Sequence, residues 1–246
     1  MEKKTLETFI KKYNLDNKID QVNWSSNAEQ KTLTVKSATE NKNLLVHVTW
    51  KTWEGAETAD YPIADTQKIK SLLSPLGEQI KFQSVSTNGK YTSVIFSDDN
   101  CECSCALADS SVIQKVPWFK KEPDAFDVEI ELTEDFIDRY TSSVNALKES
   151  EKFSLVLNKN KKIDLVLGYS SNNSNRIKIA APVVQGKDNL DKTLHFKSEY
   201  LKSVFDCNPE MENVIMQVYN QGVAKVAFEN ADFSVRYFIL SELDGN

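Results

Sequence analysis

Near the start of the chain, Leu6, Phe9, Ile10 and Tyr13 recur at helical spacing, with Lys4, Thr8 and Lys11 on the opposite side. One apolar stripe backed by a polar one predicts an amphipathic helix over about residues 3–14. Period-two alternation then marks strands at about 19–24, 31–37 and 43–50, and another near 56–62. Ile69, Leu72 and Leu73 restore the helical period behind Asp65 or Thr66 as N-cap, and Pro75-Leu76-Gly77 stops that helix. Strands resume at about 79–85, 90–96 and 100–108, and Asn88-Gly89 predicts a tight hairpin between the first two.

The same order then returns. A strand at 127–132 leads into a helix at 133–147, capped by Thr133, with Phe136, Ile137, Tyr140, Val144 and Leu147 inward. Strands follow at about 152–157, 162–168 and 175–181. Ser198 is expected to cap a short helix at about 199–206 carrying Tyr200, Leu201, Val204 and Phe205. The last strands fall at 212–219, 223–229 and 232–240.

The repetition extends to residues. Glu7, Phe9, Ile10 and Tyr13 match Glu134, Phe136, Ile137 and Tyr140, and Lys12 matches Arg139. Ile69-Lys70-Ser71-Leu72-Leu73 reappears as Leu201-Lys202-Ser203-Val204-Phe205, and Val94–Cys101 falls on Val226–Phe233. One supersecondary plan used twice predicts two domains of similar build, at 1–110 and 127–246. The connector, 111–126, holds Pro117, Pro123 and three lysines, and its Trp118-Phe119 pair implies that it docks on something.

Composition adds limits. The 246 residues are 40% hydrophobic and 27% charged, normal for a soluble protein. No apolar run approaches a membrane span, and Met1-Glu2-Lys3-Lys4-Thr5 does not read as a signal peptide, so a cytoplasmic protein is expected. The net charge of -6 argues against wrapping nucleic acid with the whole surface, but not against a local basic face. Cys101, Cys103 and Cys105 alternate along a strand, where same-face residues stand ~6.5–7 Å apart, too far for the ~2.3 Å bonds of a shared zinc. Their counterparts Phe233, Val235 and Tyr237 are core types, so the thiols read as small packed hydrophobes rather than metal ligands. His47 and His195 occupy non-equivalent places and read as structural. Asp98-Asp99-Asn100 reads as a turn, and Trp50 and Trp53 as strand or turn residues rather than base-stacking ones. No phosphate loop, metal motif or nucleophile elbow appears, so no catalytic residue, metal or cofactor is expected.

In kind and order these segments resemble the DNA sliding clamps. Tyr200–Phe205, Val214–Val218, Gly222–Phe228 and Phe233–Leu240 look like the end of a clamp subunit, and Pro62–Leu107 like the matching part of its first domain. The two-domain size and short helices resemble phage-encoded clamps of the T-even type more than the eukaryotic nuclear antigen or the three-domain bacterial clamp. The resemblance implies an α+β fold, a duplicated clamp-type domain with two helices packed on antiparallel sheets. It also implies a closed ring of three subunits with helices lining the hole, and hence a processivity factor rather than an enzyme. The partners implied are duplex DNA read without sequence preference, the replicative DNA polymerase and an ATP-dependent clamp loader, with no membrane.

On that plan Lys4, Lys11, Lys12, Lys70, Arg139 and Lys202 would face DNA. Cys101, Cys103, Cys105 and Leu107 of one subunit would meet Ile177 and Ile179 of the next. Val112, Trp118, Phe119, Leu240 and Leu243 would form the pocket for a partner peptide. The outward residues of the third helix, Asp138, Ser142, Asn145 and Glu149, fit a DNA face poorly. That leaves open a clamp-fold processivity or transcription accessory factor that forms no closed ring. A third class, an α+β enzyme using Cys101–Cys105, would require bound metal.

Overall fold

The computed structural model describes residues 1–116, 118, 125–169, 175–211 and 214–242. The chain divides into two compact units. The first is Met1–Glu40, Leu45–Pro117 and Glu229–Val235, and the second is Asn41–Leu44, Trp118–Phe228 and Arg236–Asn246.

The first unit opens with helix α1 (Lys3–Asn14), followed by strands β1 (Val22–Asn27), β2 (Thr32–Ala38), β3 (Leu44–Trp50) and β4 (Ala59–Ile63). These lie antiparallel in the order β3-β2-β1-β4. Helix α2 (Thr66–Leu73) is started by Asp65, whose carboxylate accepts the Lys68 N–H at 2.7 Å. Strands β5 (Lys81–Thr87), β6 (Lys90–Ser97) and β7 (Glu102–Ala106) form a separate three-stranded sheet in chain order. Asn88 and Gly89 both take positive φ, 53° and 75°, so the β5–β6 hairpin turns as the sequence predicts. The core is aromatic. Phe9 stands 5.4 Å from Tyr13, 6.0 Å from Trp24 and 6.0 Å from Trp50, and Trp50 stands 5.1 Å from Trp53, centroid to centroid. Trp50 and Trp53 are buried, which removes them as stacking platforms for bases.

The second unit runs β8 (Val128–Leu132), α3 (Glu134–Ala146), β9 (Lys152–Leu157), β10 (Ile163–Leu167) and β11 (Ile177–Ala180). It continues through β12 (Val183–Asp188), β13 (Leu194–Lys197), α4 (Ser198–Cys207), β14 (Val214–Tyr219), β15 (Val223–Glu229) and β16 (Phe233–Leu240). Its sheets are β12-β8-β14-β15-β16 and β11-β10-β9-β13. Thr133 caps α3 by accepting the Phe136 N–H at 3.2 Å. Tyr140 packs edge-on against Phe153 and Phe205, each at 5.6 Å.

Three local expectations need correction. β12 and β13 are additional strands. β12 is largely exposed, passes through Gly186 at positive φ and pairs with β8 across a register shift, so it carries little apolar alternation to detect. β13 has four residues, and its alternation of Leu194 and Phe196 is too short to stand out. Ser198 does not cap α4 but is its first residue. Its hydroxyl donates to the Ser150 carbonyl at 2.8 Å, and Lys197 holds the cap position without a side-chain bond.

The duplication is visible at the bond level. Asp98 Oδ1 accepts the N–H groups of Asn100 and Cys101, both at 2.7 Å. At the repeat-equivalent turn, Asn230 Oδ1 accepts those of Asp232 at 3.0 Å and Phe233 at 2.8 Å. Both are side-chain-closed turns between sheet neighbours, and in the first Asp98 acts as the backbone acceptor.

Candidate functional site

Two strand edges come first. Among the described residues, β7 pairs with β6 alone and ends its sheet. Among them too, β11 pairs with β10 alone and ends the four-stranded sheet of the second unit. Each leaves a row of backbone donors and acceptors on its outer side, an arrangement that invites another strand. On β7, Cys103 and Cys105 point inward and are buried, Cys101 is part-buried, and Leu107 just beyond is half-buried. The Cys101 and Cys103 sulfurs lie 3.9 Å apart. Burial pushes the Cys103 and Cys105 thiols up, so they stay protonated and pack as apolar groups. Among the described residues no three His, Cys, Asp or Glu side chains converge as a metal site would require. On β11, Ile179 is buried and Ile177 half-buried. A cleft of about 620 Å³ runs between this strand and α3, lined by Phe136, Arg139, Ser143, Ile177 and Ile179 among others.

The helices carry unequal charge. α1 and α2 hold six lysines against Glu7, whereas α3 and α4 hold five carboxylates against Arg139 and Lys202. Lys4, Lys11 and Lys70 are exposed. Lys3 does different work, its ammonium reaching the Leu73 and Leu76 carbonyls at 3.2 and 2.6 Å, where it satisfies the open C-terminus of α2. Arg139 is exposed but tied to Asp135 of its own helix at 2.8 Å, and Lys202 is tied to Asp206.

Lys12 departs from the sequence expectation. It is fully buried, with its ammonium 5.3 Å from the Phe233 ring centroid. The apolar stripe of α1 widens at its C-terminus, where Lys12, Tyr13, Asn14 and Leu15 are all buried in succession. Lys12 therefore lies off the exposed face that Lys4 and Lys11 share.

The partner-pocket residues sit in different settings. Val112 is 55% exposed in a short turn, Ser110–Val112, whose start Asp109 holds by accepting the Ser111 N–H at 3.0 Å. Lys90, 2.6 Å from Asp109, keeps that carboxyl well below the usual range. Trp118 is half-buried, edge-on to Phe238 at 5.7 Å. The Lys225 ammonium lies 5.7 Å from the Phe238 centroid and 5.6 Å from that of Phe126. Leu240 is half-buried, and its N–H donates to the Asn43 carbonyl at 2.8 Å. Phe119 and Leu243 lie outside the described residues.

One feature carries no signal in the linear sequence. A cleft of about 960 Å³ opens between the N-terminal half of α3 and the C-terminus of α4. Its lining is drawn from separated stretches of chain, so no local motif betrays it.

Neither family models nor curated proteins match this sequence. Solved structures do. A PCNA from A. fulgidus, bound to the C-terminal region of FEN-1, aligns over 100% of this chain and 98% of its own, with a TM-score of 0.73 and 12% identity. The Proliferating Cellular Nuclear Antigen of Entamoeba histolytica aligns over 98% of this chain and 96% of its own, with a TM-score of 0.71 and 13% identity. The chain has the α+β fold of the PCNA sliding clamps along its whole length.

Proposed function

We propose that this chain is a DNA sliding clamp, a binding protein without catalysis of its own. Three copies close into a ring around duplex DNA and tether the replicative polymerase. The observation that carries this is the pair of open edges, β7 ending one sheet and β11 another, within a whole-chain PCNA fold. An edge of one kind meeting an edge of the other makes a head-to-tail contact, and such contacts close into rings when the rotation allows. Closure would satisfy the outer backbone groups of Glu102–Ala106 and Ile177–Ala180 at once.

Topology rather than tight contact would then hold the protein on DNA. Sliding requires a weakly cationic surface that follows phosphates and reads no bases. The exposed lysines of α1 and α2 suit this, and the acidic α3 and α4 contribute little. Binding a partner to the ring makes each re-engagement of polymerase with template intramolecular, which raises its effective concentration. The A. fulgidus protein binds the C-terminal region of FEN-1, which supports a peptide-sized partner site near Trp118 and Leu240 for polymerase and an ATP-dependent loader. A cytoplasmic setting, and phage replication in particular, accords with the T-even resemblance.

Light scattering coupled to size exclusion tests the assembly. A three-chain mass at micromolar concentration, with a Tm that rises with protein concentration by mass action, is the expected result. A monomer at that concentration with a concentration-independent Tm would overturn the ring. A second reading is favoured by the pairing of Arg139 and Lys202 within their own helices. It is an accessory factor of clamp fold that acts without encircling DNA, and the monomer result would leave it standing.

A further inference from the structure

The cleft between α3 and α4 has an apolar floor and an acidic rim. Leu132, Phe205, Met211 and Val214 form the floor and are each no more than 9% exposed. Ile137 is half-exposed, and Ile215, 36% exposed, stands at the mouth among polar neighbours. Ile137, Ile215 and the floor line one opening bordered by polar residues, and an apolar patch with a polar rim is a mark of a contact surface.

Among the described residues, every charged side chain lining the cleft is acidic. Glu131, Glu134 and Asp138 are exposed, and none has an ion-pair partner among the described residues. Asp206 is the fourth, and Lys202 on α4 already neutralises it. Glu131 sits directly opposite Ile215 in the β8–β14 pairing, so one free carboxylate and the exposed aliphatic group are neighbours by register. Glu134 and Asp138 project from successive turns of α3, one turn apart on the same face. Thr133 already occupies the positive end of that helix, leaving the carboxylates free to act outward.

A phosphate backbone would be repelled here. A volume near 960 Å³ stands at the upper end of the ~300–1,000 Å³ range of ligand clefts and accommodates a few side chains of a peptide. We infer that the α3–α4 cleft is a docking site for a cationic protein segment that seats aliphatic side chains on the floor and Lys or Arg groups against Glu131, Glu134 and Asp138. This goes beyond the clamp reading and does not depend on ring closure, because every lining residue belongs to the second unit.

The test uses the full chain and a fluorescein-labelled peptide, about ten residues of lysine and leucine with the leucines at helical spacing. The same peptide with glutamate for lysine is the control. Anisotropy should report one saturable site for the lysine peptide, weakening with salt, and none for the glutamate peptide. Glu131→Gln, Glu134→Gln and Asp138→Asn together should weaken binding by about tenfold or more. Ile215→Ser alone should weaken it by several-fold even at high salt, where only the apolar contact remains. Circular dichroism and urea midpoints confirm that both variants fold. Phe136 and Tyr140 lie on the other face of α3, so a cleft variant that unfolds is replaced by Thr141→Lys, which places a positive charge at the rim and should also abolish binding. Unsaturable binding overturns the inference, as does equal affinity for the glutamate peptide. Full affinity in the folded triple variant does so too. Weakening in the triple variant with full affinity in Ile215→Ser would reduce the site to a general acidic patch and also overturn it.

Discussion

The Tyr140 hydroxyl donates to the Ser198 carbonyl at 2.9 Å, tying the middle of α3 to the first residue of α4. In the first unit Tyr13, the repeat-equivalent of Tyr140, lies 3.5 Å from the Thr66 hydroxyl, and Thr66 is the first residue of α2. The Tyr13 oxygen also accepts from Trp24 Nε1 at 3.2 Å. In each unit a buried tyrosine on the first helix meets the start of the second, so the two helices of a unit are held in register by one phenol. Burial pushes both hydroxyls up and keeps them neutral donors across the working pH range.

Tyr140→Phe should therefore keep the ring packing against Phe153 and Phe205 and remove the bond between the helices, while the Ser198 carbonyl keeps its place in the α4 ladder. The expected destabilisation is about 0.5–1.5 kcal/mol. Urea unfolding measures it. Tyr140→Ala should cost more, about 3–5 kcal/mol by analogy with other large aromatic truncations.

DNA retention should rest on Lys4, Lys11 and Lys70. Changing all three to Gln should shorten retention on circular duplex and flatten its salt dependence by about 0.9 in log–log slope for each phosphate no longer neutralised. Lys12→Ala should behave differently, lowering stability by about 0.5–3 kcal/mol because its buried stem and ammonium no longer pack, while retention persists. An equally shortened retention for Lys12→Ala at unchanged stability would return that residue to the DNA face.

The Asp98 carboxylate accepts N–H groups from Gly77 at 2.6 Å and from Asn100 and Cys101, and these bonds, with Gly77 first, lower its pKa. A carboxyl whose folded pKa is depressed stabilises above its unfolded value and loses that contribution as pH falls through the folded one. Asp98→Ala should thus lower the urea midpoint at neutral pH, and the gap from the parent should close on acidification below the ordinary carboxylate range. A gap independent of pH would mean the turn is held by packing alone.

For partner binding, Leu240→Ser and Trp118→Ala should reduce polymerase stimulation while the oligomeric mass is unchanged, because a few apolar anchors dominate such sites. The same outcome is expected for Leu243→Ser. Unchanged stimulation in all three would move the partner site elsewhere.

The element order was legible because its signals are local. The stripe of Leu6, Phe9, Ile10 and Tyr13 can be buried only as a helix, Asp65 and Thr133 mark helix starts by their own hydrogen bonds, and Asn88-Gly89 supplies the positive φ that its hairpin needs. Matching turns at Asp98 and Asn230 follow from side chains that reach backbone two and three residues away, so they survive duplication as sequence. The burial of Cys103 and Cys105 was likewise readable, from core-type counterparts in the other half.

What tertiary structure alone decided concerns surfaces that meet across long stretches of chain. A helical wheel places Lys12 on the flank of α1, yet the surrounding core closes over it and sets its ammonium near Phe233, far along the chain. The identity of β7 and β11 as open edges is a property of sheet order, which periodicity cannot supply. The acidic, aliphatic-floored cleft arises because β8, β14 and the ends of α3 and α4 converge. Periodicity tells a residue which side of its own element it occupies. Only the packing of elements tells it whether that side meets water, a neighbour or a partner.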